Sequence, residues 1–433
     1  MMSDIPSKRK GCITTFYSYK GGVGRTMILA NAAATLARWG HRVLCIDGDI
    51  EAPGLHYYLP TEPTPAQTGF LELIRSFSTD EPLSWKEAII PVTLDTGGEI
   101  KLDLMRAGSF DFAYKERLHA LDLGDLYTRH GLGQKLEELC RDWRDHYDHI
   151  LIDSRTGMTD IGGVLSIQLP DQLILLCTLN RQGLSGLREV AIEINRVRSK
   201  LPLDRARLPI LPLITAYAGR FEVDLGDKWS EQFEQSLGFL YEDWLDYDEG
   251  YSKFIYNTRV PYVPKWSFGE QLPVLHEDPE DVDNISFSLT NIAALIAHRL
   301  SDSEIFLDNR TRYLRDSTRN AMVDKTLRSL REEIEQARLR EDNLGVAQAF
   351  CVAAEYKKGI GEMESAADDY YEASTVFNEI GQQELAEQCR VEINAILLNR
   401  DTVKTKVHHE SFAEPYDSYY SLSPLSSGGK SEK

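Results

Sequence analysis

The sequence lacks any apolar run approaching the ~20 residues that a membrane-spanning helix needs. It also lacks an excess of positive charge, because its formal net charge is −20 at pH 7. Non-specific binding to DNA and adsorption to anionic membranes both depend on concentrated basic surface, so we expect neither as a partner. The first residues show no apolar core and no small-residue cleavage site, which argues against a secretory signal. We therefore expect a cytoplasmic protein.

Cysteine is sparse, with six residues in a chain of 433, and no two of them stand in a CxxC pair. Several occupy apolar contexts such as VLCID and ILLCT, where a thiol behaves as a small hydrophobic group. This distribution argues against a disulfide framework and against a structural zinc site.

Between residues 11 and 300, strand-like apolar runs alternate with helix-like segments, the pattern of a mostly parallel α/β sheet flanked by helices. Several runs are continuously apolar, as expected for strands buried on both faces. A helix, MILANAAATLARW, should follow the first strand and end at Gly40. The candidate strands are CITTFYS from Cys12, RVLCID from Arg42, KLDLMRA from Lys101, HILID from His149, QLILLCT from Gln172, LPILPLIT from Leu208 and VPYVP from Val260.

The composition changes toward the C-terminus. We predict a flexible tail over 1–10, the α/β domain over 11–300, a linker over 301–317, an all-α region over 318–400 and a disordered tail over 401–433. Within the all-α region, one stretch resembles a tetratricopeptide repeat, and a generic helical hairpin packed on the first domain is the alternative. The residues at that motif's packing positions are Phe350, Ala354, Ala366, Tyr370 and Ala373.

The strongest functional signal is the glycine-rich segment SYKGGVGRTM at residues 18–27, between a predicted strand and a predicted helix. Glycines let the backbone turn its N–H groups toward an anion, and the helix N-terminus adds partial positive charge. Thr26 stands where a hydroxyl would bind Mg²⁺. The segment predicts a phosphate-binding loop, with residues 20–26 as its nucleotide contacts: Lys20, Gly21, Gly22, Val23, Gly24, Arg25 and Thr26.

This segment departs from the common pattern G-x-x-x-x-G-K-[ST] at two positions, with Tyr19 at the first glycine and Arg25 at the lysine. It resembles the KGGxGK[ST] form of the ParA/MinD family of P-loop ATPases, and in particular a KGGVGR variant of that family. The resemblance implies that Lys20 reaches across a homodimer to the partner's nucleotide and takes part in catalysis. It also implies that the protein acts as a nucleotide switch with a protein partner. We expect this partner to bind through the C-terminal helices.

Two acidic segments extend the resemblance. CIDGDIEAPGL, from Cys45, is similar to the family's first switch, in which Asp49 would orient the attacking water and Asp47 would help to hold Mg²⁺. HILIDSRTGMTD is similar to its second switch, in which Asp153 would hold Mg²⁺ through water. Here the family's usual proline is absent.

No [NT]KxD element follows a late strand, so we expect ATP rather than GTP, with Mg²⁺ as its cofactor. A guanidinium at Arg25 keeps the positive charge for phosphate but does not occupy the position of a lysine ammonium. Slow hydrolysis, or hydrolysis only with a partner, is therefore our expectation, and a nucleotide-binding scaffold without turnover is the alternative. A bacterial tyrosine kinase is a further alternative, suggested by Tyr416, Tyr419 and Tyr420 in the tail.

Overall fold

The structure of the chain is a computed structural model. It describes residues 10–61, 68–79, 81–95, 99–154, 167–199, 208–219, 222–246 and 250–410, with no side chains described for 399–410. The chain divides into two compact units, one from Ser7 to Lys325 and one that holds the described residues from Thr326 onward.

The first unit is built on a sheet that has seven strands within the described residues, in the order β3-β4-β2-β5-β1-β6-β7. All neighbouring pairs are parallel except β3 and β4, which are antiparallel. The fold is therefore the mostly parallel α/β sheet that the sequence predicts. The strands are β1 (Cys12–Ser18), β2 (Val43–Asp47), β3 (Ile89–Asp95), β4 (Glu99–Met105), β5 (His149–Asp153), β6 (Gln172–Cys177) and β7 (Ile210–Ile214).

Both faces of the central strands are buried, which explains their continuous apolar character. Along β2, Val43 and Cys45 join the hydrophobic cluster on one face of the sheet, whereas Leu44 and Ile46 join the cluster on the other. Successive side chains of a strand point to opposite faces, so such a strand needs an apolar residue at every position.

Helices cover the sheet. The described helices of the first unit are α1 (Arg25–Trp39), α2 (Leu55–Tyr58), α3 (Phe70–Ser76), α4 (Tyr114–His119), α5 (Leu123–Arg129), α6 (Leu132–His146), α7 (Arg181–Arg198), α8 (Val223–Leu237), α9 (Ser252–Thr258), α10 (Ile285–Ala297), α11 (Ser303–Asp308) and the start of α12 (Arg310–Leu339). Short 3₁₀ turns occupy Trp85–Ala88, Gly238–Leu240, Pro264–Ser267 and Pro273–Leu275. As predicted, α1 ends at Gly40, whose φ of 103° lies in the left-handed region that suits glycine.

One predicted strand is absent, and one observed strand was not predicted. The segment VPYVP forms no strand, only an isolated bridge between Tyr217 and Pro261, because prolines cannot donate to a ladder. Conversely, β3 was not predicted. It is an edge strand whose buried and exposed residues alternate, and it contains Pro91, so its composition lacks the apolar run of a central strand.

The prediction of a linker at 301–317 is also wrong, because this segment is largely helical and packs into the first unit. Phe306 and Leu307 of α11 and Tyr313 of α12 belong to the main hydrophobic cluster of the first unit. The division between the two units falls instead within α12.

The second unit contains the remainder of α12 followed by α13 (Asn343–Ile360), α14 (Met363–Glu379) and α15 (Gln383–Glu410). The helix α15 continues into the segment predicted as a disordered tail, and residues 411–433 lie outside the described residues. The five predicted packing residues, from Phe350 to Ala373, are all buried in one cluster. The tetratricopeptide assignment itself stays a prediction. Across the described residues, the chain offers no helix with the length and apolar character to cross a membrane.

Candidate functional site

The sheet topology brings the predicted site residues to one edge. Strands β2, β5 and β1 are neighbours, and their carboxyl ends meet at the same side of the sheet. Asp47 ends β2 and lies directly beside Asp153, the last residue of β5. The glycine-rich loop leaves β1 after Ser18 and leads into α1. The crevice outside the carboxyl ends of parallel strands is where α/β folds bind their ligands.

The loop takes a conformation that depends on glycine. Gly22 has a φ of 73° and Gly24 a φ of 85°, in the left-handed region that residues with a side chain rarely adopt. Gly24 is the N-cap of α1, which begins at Arg25, two residues earlier than the predicted helix. In the described part of the chain, the N–H groups of residues 21–26 donate to no acceptor. Such N–H groups at a helix N-terminus form a cradle for an anion.

Arg25 points from the start of α1 to the acidic strand ends. Its guanidinium donates from Nη2 to Asp49 Oδ2 at 2.7 Å and from Nε to Asp153 Oδ1. The side chain is only 8% exposed. An arginine that the sequence assigns to phosphate is therefore paired with two carboxylates in the structure. Sequence spacing could not reveal this pairing, because Asp153 lies 128 residues away along the chain.

All four carboxylate oxygens of Asp49 and Asp153 accept hydrogen bonds. The second oxygen of Asp153 accepts from the Thr26 hydroxyl at 2.6 Å, and the second oxygen of Asp49 accepts from the Ala52 N–H at 3.2 Å. Burial raises the pKa of Asp153, while Arg25 and Thr26 oppose that rise by favouring the ionised form. These contacts hold the loop and both acidic segments together.

Asp47 is the exception among the three carboxylates. Its Oδ2 accepts from the Leu55 N–H at 3.2 Å, but its Oδ1 is buried without a hydrogen-bond partner in the described residues. Burial, reinforced by the neighbouring Asp153 carboxylate, raises the pKa of Asp47 to about 8. The site thus holds three carboxyl groups and one guanidinium, and burial beside Asp153 favours the protonated form of Asp47.

This set of donors fits Mg²⁺ and a nucleotide. Mg²⁺ binds through one or two carboxylates, hydroxyls, waters and substrate phosphates, and here a buried carboxylate oxygen of Asp47 lacks a partner beside the Thr26 hydroxyl and Asp153. The unpaired loop N–H groups supply the donors that phosphate oxygens need.

Lys20 is the predicted site residue that the structure keeps apart from the carboxylates. It is half-buried in the loop and forms no ion pair among the described residues. Its carbonyl accepts from the Ser18 hydroxyl at 2.8 Å, which fixes the start of the loop. The preceding Tyr19 packs its ring against Gly186 of α7, where a Cβ would lie 2.4 Å from the ring.

Sequence analysis missed Tyr114, which lies at the start of α4 outside every motif. Its hydroxyl donates to the Ile50 carbonyl at 2.7 Å and so braces the segment that carries Asp49. No motif pointed to it. The part of the predicted second switch that follows Ser154 lies outside the described residues, as do the tail tyrosines Tyr416, Tyr419 and Tyr420.

The parallel sheet, the glycine loop at the start of α1 and the acidic ends of β2 and β5 together define a P-loop nucleotide-binding domain. The chain belongs to the CobQ/CobB/MinD/ParA nucleotide binding domain family, whose match covers residues 14–414.

Individual relatives are distant. The chain is 26% identical over 162 residues to an uncharacterized ATP-binding protein of Methanocaldococcus jannaschii, a match covering 37% of this chain and 51% of the relative. It is 26% identical over 168 residues to a putative tyrosine-protein kinase of Ralstonia solanacearum, covering 39% of this chain and 19% of the relative. The chain thus spans about half of the first relative and less of the second. Among solved structures, the septum site-determining protein MinD of Pyrococcus horikoshii, complexed with Mg-ADP, matches with 17% identity and a TM-score of 0.45, covering 67% of this chain and 99% of that chain.

Proposed function

We propose that this protein binds ATP with Mg²⁺ and acts as a slowly hydrolysing nucleotide switch, which dimerises in the ATP state and then engages a protein partner. The observation that carries the proposal is the unpaired row of N–H groups in residues 21–26, placed beside three carboxyl groups. The loop offers donors to phosphate, and the strand ends offer oxygen ligands to a divalent cation.

Each residue has a task in this scheme. The loop N–H groups and Arg25 bind the phosphates, while Thr26, Asp47 and Asp153 hold the cation shell. When bound, Mg²⁺ supplies positive charge that stabilises the developing charge on the transferred phosphoryl group. Asp49 orients the attacking water, for which its place on a braced loop beside Arg25 is suited. Lys20, which has no ion partner within the described residues, is available to a second copy of the chain.

Arg25 is the reason to expect slow turnover. Stabilisation of a transition state requires catalytic groups to be placed within ~0.5 Å, and a planar guanidinium cannot replace a lysine ammonium at the same point. A partner that repositions the loop is one route to faster hydrolysis. A nucleotide-binding scaffold without turnover is the outcome if no such partner exists.

The test of nucleotide binding is a titration of ATP and GTP in the presence of Mg²⁺ into the parent and Arg25→Ala. We expect ATP to bind more tightly than GTP, and Arg25→Ala to weaken ATP binding. The control is Arg42→Ala, which removes a similar ion pair, with Asp148, at the opposite end of β2. Equal ATP affinity in the parent and Arg25→Ala would show that the arginine is not a phosphate ligand.

A second candidate function is that of a tyrosine kinase, favoured by the putative kinase among the relatives. Incubation with labelled ATP separates the two. A kinase transfers label to its own tyrosines, including those of the tail, whereas a switch releases inorganic phosphate.

A further inference from the structure

In this structure the positive charge of Arg25 lies between two acidic side chains at the carboxyl ends of the strands. Its guanidinium bridges Asp49 and Asp153, which come from the loop after β2 and from the end of β5. The Asp153 side chain is 1% exposed and that of Asp49 is 11% exposed, so water screens this pairing little. The contact links three separate chain segments through one side chain.

The bridge leaves few ligand atoms free for a metal ion. Both oxygens of Asp153 and both oxygens of Asp49 already accept hydrogen bonds, from Arg25, from Thr26 and from the Ala52 N–H. The Thr26 hydroxyl itself donates to Asp153. Among the carboxylate oxygens of Asp47, Asp49 and Asp153, only Oδ1 of Asp47 lacks a partner within the described residues. A divalent cation at these oxygens must therefore compete with the Arg25 guanidinium, whose positive charge already lies between the two carboxylates.

A bound phosphate offers the Arg25 guanidinium an alternative anionic partner. Guanidinium binds phosphate bidentately, as it does carboxylate, and the loop that precedes Arg25 presents its unpaired N–H groups next to it. A phosphate held there competes with Asp49 and Asp153 for the same donors. As Arg25 turns to the phosphate, it frees the carboxylate oxygens.

We propose that Arg25 excludes divalent metal from the nucleotide-free protein and releases the carboxylates when phosphate binds, so that metal binding depends on nucleotide. This proposal deepens the proposed function and rests on it for the phosphate-bound state. It also gives the arginine variant of the loop a role that the common lysine cannot fill in the same way. A lysine ammonium is a single compact charge, whereas the guanidinium spans two carboxylates through separate N–H groups.

The test is a titration of nucleotide-free protein with Mn²⁺, in which electron paramagnetic resonance measures the concentration of the free ion. We expect no stoichiometric site in the parent or in the Arg42→Ala control. We expect Arg25→Ala and Arg25→Met to bind one Mn²⁺ roughly tenfold or more tightly than the parent, since displacing a buried guanidinium from its partners opposes metal binding. Adding Asp153→Asn to Arg25→Ala should remove the new site.

A parent that binds Mn²⁺ without nucleotide as tightly as Arg25→Ala would overturn the proposal, and so would an Arg25→Ala variant that binds none. Thermal melting covers variants that fold poorly. Mg²⁺ alone should raise the melting temperature of Arg25→Ala and leave that of the parent unchanged, and a variant that no Mg²⁺ concentration stabilises also contradicts the proposal. A titration of the parent with ATP tests nucleotide binding separately. If the parent binds no ATP, nucleotide binding is refuted, but the Mn²⁺ result for the nucleotide-free protein still stands.

Discussion

Asp47 shows how a single residue of the site affects the stability of the whole fold. Its carboxyl group is buried beside Asp153, and its pKa rises from 3.8 to about 8. Between these values the folded protein keeps a proton that the unfolded chain has released. At this group the unfolded state therefore binds fewer protons, and the stability that the Asp47 carboxyl contributes falls as pH rises through this window.

We expect Asp47→Asn to weaken this pH dependence in the nucleotide-free protein, because an amide carries no proton to lose. The measurement is thermal melting from about pH 5 to about pH 8, the window in which the shifted group titrates. The exposed Asp308→Asn is the matched control and should retain the slope of the parent. If Asp47→Asn retains it too, the pH dependence originates elsewhere.

Asp49 is a second single residue with a predicted effect, and its proposed role is catalytic. Asp49→Ala should bind ATP at least as tightly as the parent does, because one carboxylate that competes for Arg25 is removed. It should lose turnover by on the order of 10²–10⁴-fold, the range for removal of a general base. Nucleotide titration measures ATP binding, and phosphate release measures turnover. Unchanged phosphate release in this variant would assign the task to another group, such as a residue of a partner protein.

At the scale of elements, hydrogen bonds from two helices hold the segment after β2 in place. Tyr114 at the start of α4 donates to the Ile50 carbonyl, and Leu55 at the start of α2 donates to Asp47. The carboxylate at the end of β2 and the segment that follows it are thereby tied to α2 and α4. A change at the site can thus be passed to α2 and α4.

We expect Tyr114→Phe to loosen residues 48–55 by about 1 kcal/mol, the typical net contribution of one hydrogen bond. Hydrogen exchange over this segment should be faster than in the parent. The matched control is Tyr127→Phe, which removes a tyrosine hydrogen bond to Gln168 elsewhere in the unit. Equal exchange in Tyr114→Phe and Tyr127→Phe would show that Tyr114 does not brace the segment.

Elements also show what the sequence could and could not predict. The buried strands β1, β2 and β5 and the glycine loop carry local signals, since apolar runs and glycine positions follow from their own environment. The edge strand β3 has an alternating pattern and a proline, and it was missed. The pairing of Arg25 with Asp153 and the contact of Tyr114 with Ile50 join residues 128 and 64 positions apart, so no local pattern encodes them.

At the scale of the whole molecule, the proposed switch depends on the association of two copies of the chain. Within the described residues Lys20 has no ion partner, although it stands in a loop built for an anion. In a face-to-face dimer it would meet the partner's phosphates, so nucleotide binding and dimerisation would be linked. The proposed protein partner, bound through the helices from α13 to α15, would then bind the dimer and the monomer with different affinities.

Lys20→Ala should therefore bind ATP as a monomer and lose dimerisation and turnover together. Light scattering with a slowly hydrolysed ATP analogue measures association, and the exposed Lys228→Ala serves as the charge-matched control. A parent protein that stays monomeric at every nucleotide concentration would contradict the dimer, though not ATP binding.

The most direct test of the central claim is the affinity for ATP in Mg²⁺ and in a chelator, measured for the parent and for Thr26→Ala. We expect the parent to bind ATP more weakly when Mg²⁺ is removed, because the cation joins the phosphates to Thr26, Asp47 and Asp153. Thr26→Ala should bind ATP weakly in both conditions and show little dependence on Mg²⁺. A parent that binds no ATP, or a Thr26→Ala variant with the full Mg²⁺ dependence of the parent, would contradict it.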